Sequence, residues 1–208
     1  RSTFEGTIYD MSEQPQWQVT DEEGKLVKSP LATPFPGSDL RRLLKLTYRR
    51  PVARHRGHYG MVTQLRSWLP NAVGGVYWVY LDNPIFSPYV PIHAGVQEIS
   101  PYFETYDSKA YSEDSARWLI DFVDNLLYLR FQDAMEDVRS ERDPLEASFF
   151  STQDEVEKKA LELYRQSPEE AEAFLTDLAR TRMEKVVDLY RKLRTLLITK
   201  YTNNHEWL

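Results

Sequence analysis

The sequence predicts an α+β fold, with antiparallel strands in the first half and a helical carboxy-terminal region. Three observations carry this. All 8 Gly lie at or before Gly95, and 10 of the 12 Pro lie at or before Pro101. Both residues punctuate turns and interrupt helices, so strands and loops belong before that point and helices after it. Runs rich in Val, Tyr, Trp and Thr occur only in the first half, whereas beyond residue 115 apolar residues recur every three or four positions. A chain of 208 residues can form one good-sized core or two small domains. The expected division is a strand- and loop-rich part over 1–110 and a helical part over 111–208, packed on the same core.

In chain order, residues 7–9 (Thr, Ile, Tyr) follow Gly6 and read as a short strand. Residues 13–38, rich in Pro, Gln, Asp and Gly, read as a long irregular excursion. Residues 40–46 suit either a short helical turn or a strand, because periodicity does not decide. Residues 59–65 and 75–81 are the best strands, bounded by Gly, Pro and Asp, and the turn residues at 67–71 make an antiparallel pair plausible. Pro84, Pro88, Pro91 and Pro101 argue against a helix over 84–101. Ser112 or Ser115 caps a helix carrying Leu119, Phe122, Val123, Leu126 and Leu127, which can continue to Val138 or Arg139. Pro144 then lies in or near a break. Thr152 with Glu155 forms a capping-box pattern. Ser167-Pro168-Glu169-Glu170 is a stronger helix start, with Pro at the first helical position. The period from Phe174 to Leu197 predicts a long or kinked helix.

Composition excludes several classes. The 26 Lys+Arg against 32 Asp+Glu give a formal net charge of −6, which disfavours a nucleic-acid binder, whose affinity rests on neutralising phosphates. No run approaches the roughly 20 apolar residues of a membrane-spanning helix. With no Cys the chain has no disulfide, thiolate metal site or cysteine nucleophile of its own. A Cys-free chain suits either redox environment, so a cytoplasmic and an extracytoplasmic location both stay open.

Candidate sites are few. The four His, His55, His58, His93 and His205, include no pair four apart around a Glu, so no zinc-helix motif is present and no metal or cofactor is expected. Gly74-Gly75 alone reads as a turn. Between Asp39 and Asp82 there is no acid but eight basic residues, from Arg41 to Arg66. Most suit a solvated strip or one docked on an acidic surface; the other reading is an anion site, since an arginine fork matches a carboxylate. Arg66, at the end of the best strand and beside Gln64, is the one most suited to a site. Glu5, Thr7 and Asp10 could place a carboxylate and a hydroxyl side by side on a turn. Trp68, Tyr77, Trp78 and Tyr80 suit core or pocket lining.

Residues 58–95, HYGMVTQLRSWLPNAVGGVYWVYLDNPIFSPYVPIHAG, resemble the carboxy-terminal half of the C69 dipeptidase family. The start, RSTFEGTIYD, is similar to that family's R-x-H-Y-E-G-T-x-x-D segment, with Thr3 in place of the His. The Trp118 helix and the stretches 150–156 and 196–201 also fit. The resemblance implies an N-terminal-nucleophile hydrolase with an αββα sandwich, two sheets between helical layers. It implies a nucleophilic N-terminal Cys whose α-amino group is the base, a plausible pairing because that amine titrates near neutral pH. Glu5, Thr7, Asp10, Gln64 and Arg66 become the site-side residues, with Arg66 on the substrate carboxylate or the oxyanion and Trp78 and Tyr89 lining the pocket.

The expected function is therefore the carboxy-terminal portion of a cysteine-type dipeptidase acting on small peptides. The nucleophile would come from an amino-terminal half or subunit, and this chain alone would be inactive. Expected partners are a small peptide substrate, the amino-terminal part and further copies in a homo-oligomer, with neither nucleic acid nor membrane. Such a portion should expose an apolar patch where its missing half belongs. The alternatives are a non-catalytic assembly domain, or a related amidase acting on non-peptide amides.

Overall fold

The computed structural model describes residues 2–55 and 57–202; Arg1, Arg56 and His205 lie outside them. Residues 7–9 are not a strand. The Thr7 amide and hydroxyl both donate to the Phe4 carbonyl, at 3.0 and 2.7 Å, and Gly6 takes φ +73°, which closes a turn instead. The 13–38 excursion holds a small hairpin, β1 (Gln18–Thr20) and β2 (Leu26–Lys28). Asp21 organises its turn by accepting from the amides of Glu23 and Lys25. Three-residue strands carry too little pattern to be read from sequence. Residues 38–44 resolve to a helix, α1 (Ser38–Leu44), ended by Lys45 at φ 54°.

The two best strands form as expected. β3 (Tyr59–Leu65) pairs antiparallel with β4 (Gly75–Leu81), from Tyr59 opposite Leu81 to Leu65 opposite Gly75. A single helical turn, α2 (Asn71–Gly74), completes the connection. The proline-rich stretch has no helix through 100, but it contributes β5 (Val90–His93), an edge strand on β4 that tolerates Pro91. Pro101 opens one further turn, α3 (Pro101–Glu104).

The helical half follows. Ser115 caps α4 (Ala116–Leu127), accepting from the Trp118 amide at 3.4 Å. α4 ends earlier than its pattern suggests. The amides of Tyr128 and Leu129 close three-residue turns and Arg130 leaves the helical conformation, with neither Gly nor Pro to signal the break. α5 (Phe131–Ser151) then runs through Pro144, so that proline lies inside a helix rather than at its end. α6 (Gln153–Gln166) starts without the capping bond expected of Thr152, whose hydroxyl donates back to the Ser148 carbonyl at 2.7 Å. Ser167 does cap α7 (Pro168–Tyr201), a single helix of 34 residues.

α7 is the spine. Its Met183, Val186, Val187, Tyr190, Leu193 and Leu197 are buried against Leu119, Ile120, Val123 and Leu127 of α4 and against α5. The helices cover one face of the β3–β4–β5 sheet, where Val76 and Trp78 are buried. The opposite face is open: Tyr59, Met61 and Leu65 are 67, 56 and 72% exposed, and Tyr77 is 39% exposed. Among the described residues no helix is long and apolar enough to cross a membrane.

Candidate functional site

The structure separates the sequence-selected residues into two groups. The first is the amino-terminal turn. Asp10 is buried, and its Oδ1 accepts from the Ser12 amide at 2.9 Å and hydroxyl at 2.8 Å. Thr7 braces the turn through Phe4, and its Oγ1 accepts from the Tyr9 amide at 3.2 Å. Glu5 is exposed and pairs with Arg139 of α5 at 3.0 Å. A cleft of about 60 Å³ brings Glu5 and Asp10 together with Thr3, Gln132 and Arg139. Thr7 is not part of its lining.

The second group lies where the sheet meets the helices. Arg66 forms a bidentate pair with Glu157 of α6, at 2.6 and 2.7 Å, and its Nε donates to the Gly74 carbonyl. Both side chains are nearly enclosed, at 13 and 12% exposure. Gln153, one turn before Glu157, donates to that carboxylate at 2.8 Å, and its amide nitrogen lies 3.0 Å from His93 Nε2. Burial raises the Glu157 carboxyl's pKa, but the hydrogen bonds from Arg66 and Gln153 outweigh it and leave the pKa below the ordinary value. Burial pushes the His93 imidazole down to about 4, so it is neutral near pH 7. Trp78 stacks on Phe150, with centroids 4.4 Å apart and planes 14° apart, and its indole N–H points at Gln64 Oε1, 3.5 Å away. The Tyr89 amide donates to Glu146 at 2.7 Å, and its ring meets Tyr80 edge-on at 5.0 Å.

Sequence reasoning missed His93, Gln153 and Glu157 as a set. The i, i+4 spacing of Gln153 and Glu157 on one helix face was the available signal. It also missed a buried acid pair. Asp82, at φ 59° just past β4, is buried beside Asp124 of α4, and Arg117 lies 3.2 Å from Asp82. Burial raises Asp82 to about 6, against the pull of Arg117. Burial and the charge of Asp82 raise Asp124 as well. No three His, Cys, Asp or Glu among the described residues are grouped to hold a metal ion.

The two regions that carry the resemblance, the turn and the sheet, are therefore both ordered parts of one α+β unit. Comparison with known proteins places that unit in a hydrolase class, the peptidases. The match is to peptidase family C69 over residues 1–143, and the chain belongs to that family. It is also similar to a probable dipeptidase B from Streptococcus pyogenes serotype M1, 23% identical over 163 residues. The similarity covers 77% of this chain and 32% of that relative, so the chain spans about a third of the relative's length.

Proposed function

We propose that this chain is the carboxy-terminal portion of a cysteine-type dipeptidase that hydrolyses the peptide bond of small peptides. The nucleophilic Cys would be supplied by a part of the protein outside this sequence. The observation that carries the reading is the family match through residue 143 together with the similarity to a probable dipeptidase. The absence of Cys from these 208 residues is why the nucleophile must come from elsewhere.

The fold reading is an αββα sandwich whose second sheet is not in this chain. The open apolar face of β3 and β4 supports it: helices cover one side of this sheet, and a stacked sheet about 10 Å away would cover the other. In this reading residues 1–110 belong to the sandwich core and 111–208 form its helical layer. The remainder of the protein, or a further copy in a homo-oligomer, is the covering partner.

Glu5, Thr7, Asp10, Gln64, Arg66, Trp78 and Tyr89 are the proposed substrate-side or supporting residues. Thr7 and Asp10 act by holding the turn that presents Glu5. Because Glu157 occupies the Arg66 fork, a substrate carboxylate or oxyanion there would compete with it, and Arg66 serves best as a shared donor on the site wall.

The test is a panel of dipeptides, acylated amino acids and β-lactams offered to the full-length protein. Turnover confined to dipeptides supports the reading; turnover of the others alone replaces it with a non-peptide amidase. In the same protein Arg66→Ala should lower kcat/KM at least tenfold, about 1.4 kcal/mol. An unchanged value in a folded variant removes Arg66 from the site.

A further inference from the structure

The acid-free stretch closes around a cavity. α1 and the loop after it enclose about 300 Å³, lined by Arg41, Arg50, Arg54, His55, Ser38 and Tyr48. Pro36 and Pro51 complete the wall, and no acidic residue contributes to it. Several arginines elsewhere pair with carboxylates, as in Arg66–Glu157 and Arg139–Glu5. In this cavity none does: among the described residues Arg41, Arg50 and Arg54 have no ion-pair partner. Asp39, beside them in sequence, pairs instead with Arg42 on the outer surface.

Three guanidiniums around one cavity concentrate positive charge there, which favours an anion among them. Two features hold the lining in place. The Arg41 guanidinium lies over the Tyr48 ring, 4.2 Å from its centroid, and its Nε is buried with no hydrogen-bond partner. The His55 ring packs on Phe35 with centroids 5.2 Å apart. A further tie places the cavity beside the amino-terminal turn, where the Ala53 amide donates to the Ser2 carbonyl at 2.9 Å. The loop that carries Arg50 and Arg54 is thus stitched to the segment that presents Glu5.

We infer that this cavity binds the carboxylate end of a small peptide, with Arg41, Arg50 and Arg54 supplying the positive field and paired N–H donors. A cavity of this size is at the small end of ligand sites, which suits one or two residues rather than a protein chain. Arginine forks give a carboxylate two parallel hydrogen bonds. The inference rests on the dipeptidase reading for its choice of anion, but the test separates the two.

Ligand-observed NMR and initial rates are measured on the full-length protein with alanyl-alanine, alanyl-alanine amide and inorganic phosphate. Alanyl-alanine should bind at least tenfold more tightly than its amide. Arg50→Gln with Arg54→Gln should weaken alanyl-alanine at least tenfold, raising KM with little change in kcat, and leave the amide as it was. Both residues are exposed, so the core is untouched. Arg42→Gln, outside the cavity, should change neither. Equal binding of acid and amide, or a double variant that matches wild type, overturns the inference while dipeptide turnover would leave the dipeptidase reading standing. Acid-selective binding lost in the double variant, without turnover of any dipeptide, upholds the cavity and sinks the dipeptidase reading. Phosphate binding more tightly than alanyl-alanine overturns the carboxylate assignment.

Discussion

At the scale of single residues, the buried ionisable groups make opposing demands on pH. His93 has a folded pKa of about 4 against about 6.5 unfolded, so between those values the unfolded chain binds the extra proton and stability rises with pH. The window is worth about 3 kcal/mol across its full width. Asp82, raised to about 6, does the reverse: the folded chain holds the proton, so stability falls as pH rises from about 4 to 6. In wild type the two slopes partly cancel. Urea unfolding at pH 4.5 to 7 should show His93→Gln losing stability with rising pH. Asp82→Asn, which removes that titration, should instead shift the slope toward gaining stability as pH rises. Identical slopes in both variants and wild type would show that neither group is buried in its charged-averse state. The Arg66–Glu157 pair has the same sign as His93, in a more acidic window. The Glu157 pKa is lowered, so its contribution is present above the ordinary carboxyl pKa and is lost as pH falls through the folded value. Glu157→Gln strands a nearly enclosed guanidinium and should cost about 2–4 kcal/mol. A cost below about 0.5 kcal/mol in chemical denaturation would mean that water reaches Arg66 freely.

At the scale of elements, α7 holds the layers together because its apolar stripe is continuous for most of its length. Tyr190 is fully buried on that stripe, and its hydroxyl donates to the Phe86 carbonyl in the loop before β5. Tyr190→Phe keeps the ring but leaves that carbonyl unpaired, and should cost about 1–3 kcal/mol. A neutral result by thermal unfolding would show that water replaces the hydroxyl. α5 illustrates how packing overrides propensity. Pro144 removes one helical hydrogen bond, but Val138 on one side of it and Phe149 on the other are both anchored in the core. The edge strand β3 is the exception to good burial. It exposes apolar side chains on both faces, a liability unless another element covers it.

At the scale of the whole molecule, that open face is the one the proposed second sheet would cover. Met61→Lys with Leu65→Lys should suppress self-association of the isolated chain in light scattering, and should lower the stability of the full-length protein. Improved solubility in the chain with no penalty in the full-length protein would show that the face stays open there too. The family match runs through residue 143, past the 110/111 division and into α5. It thus covers the strand-rich part, α4 and the first part of α5, while the rest of α5 with α6 and α7 lies beyond it.

Much of this was legible in the amino-acid order. Local chemistry sufficed for the β3–β4 pair, whose bounds follow from β-branched and aromatic runs, and for the starts of α4 and α7, where a Ser caps and a Pro or Trp follows. The family likewise followed from residues 58–95 and the Glu5-Gly6-Thr7 turn. What local pattern could not supply depends on contacts distant in sequence. The end of α4 has no breaker residue, and the helix through Pro144 persists because distant core residues hold both its halves. The sequence places Arg66 at a strand end but does not show that its fork meets Glu157, 91 positions away. His93 finds Gln153 across 60, and Asp82 finds Asp124 across the sheet–helix interface. Pairing between buried charges is a property of the packed state: burial removes water as a partner, and only the fold determines which side chain takes its place.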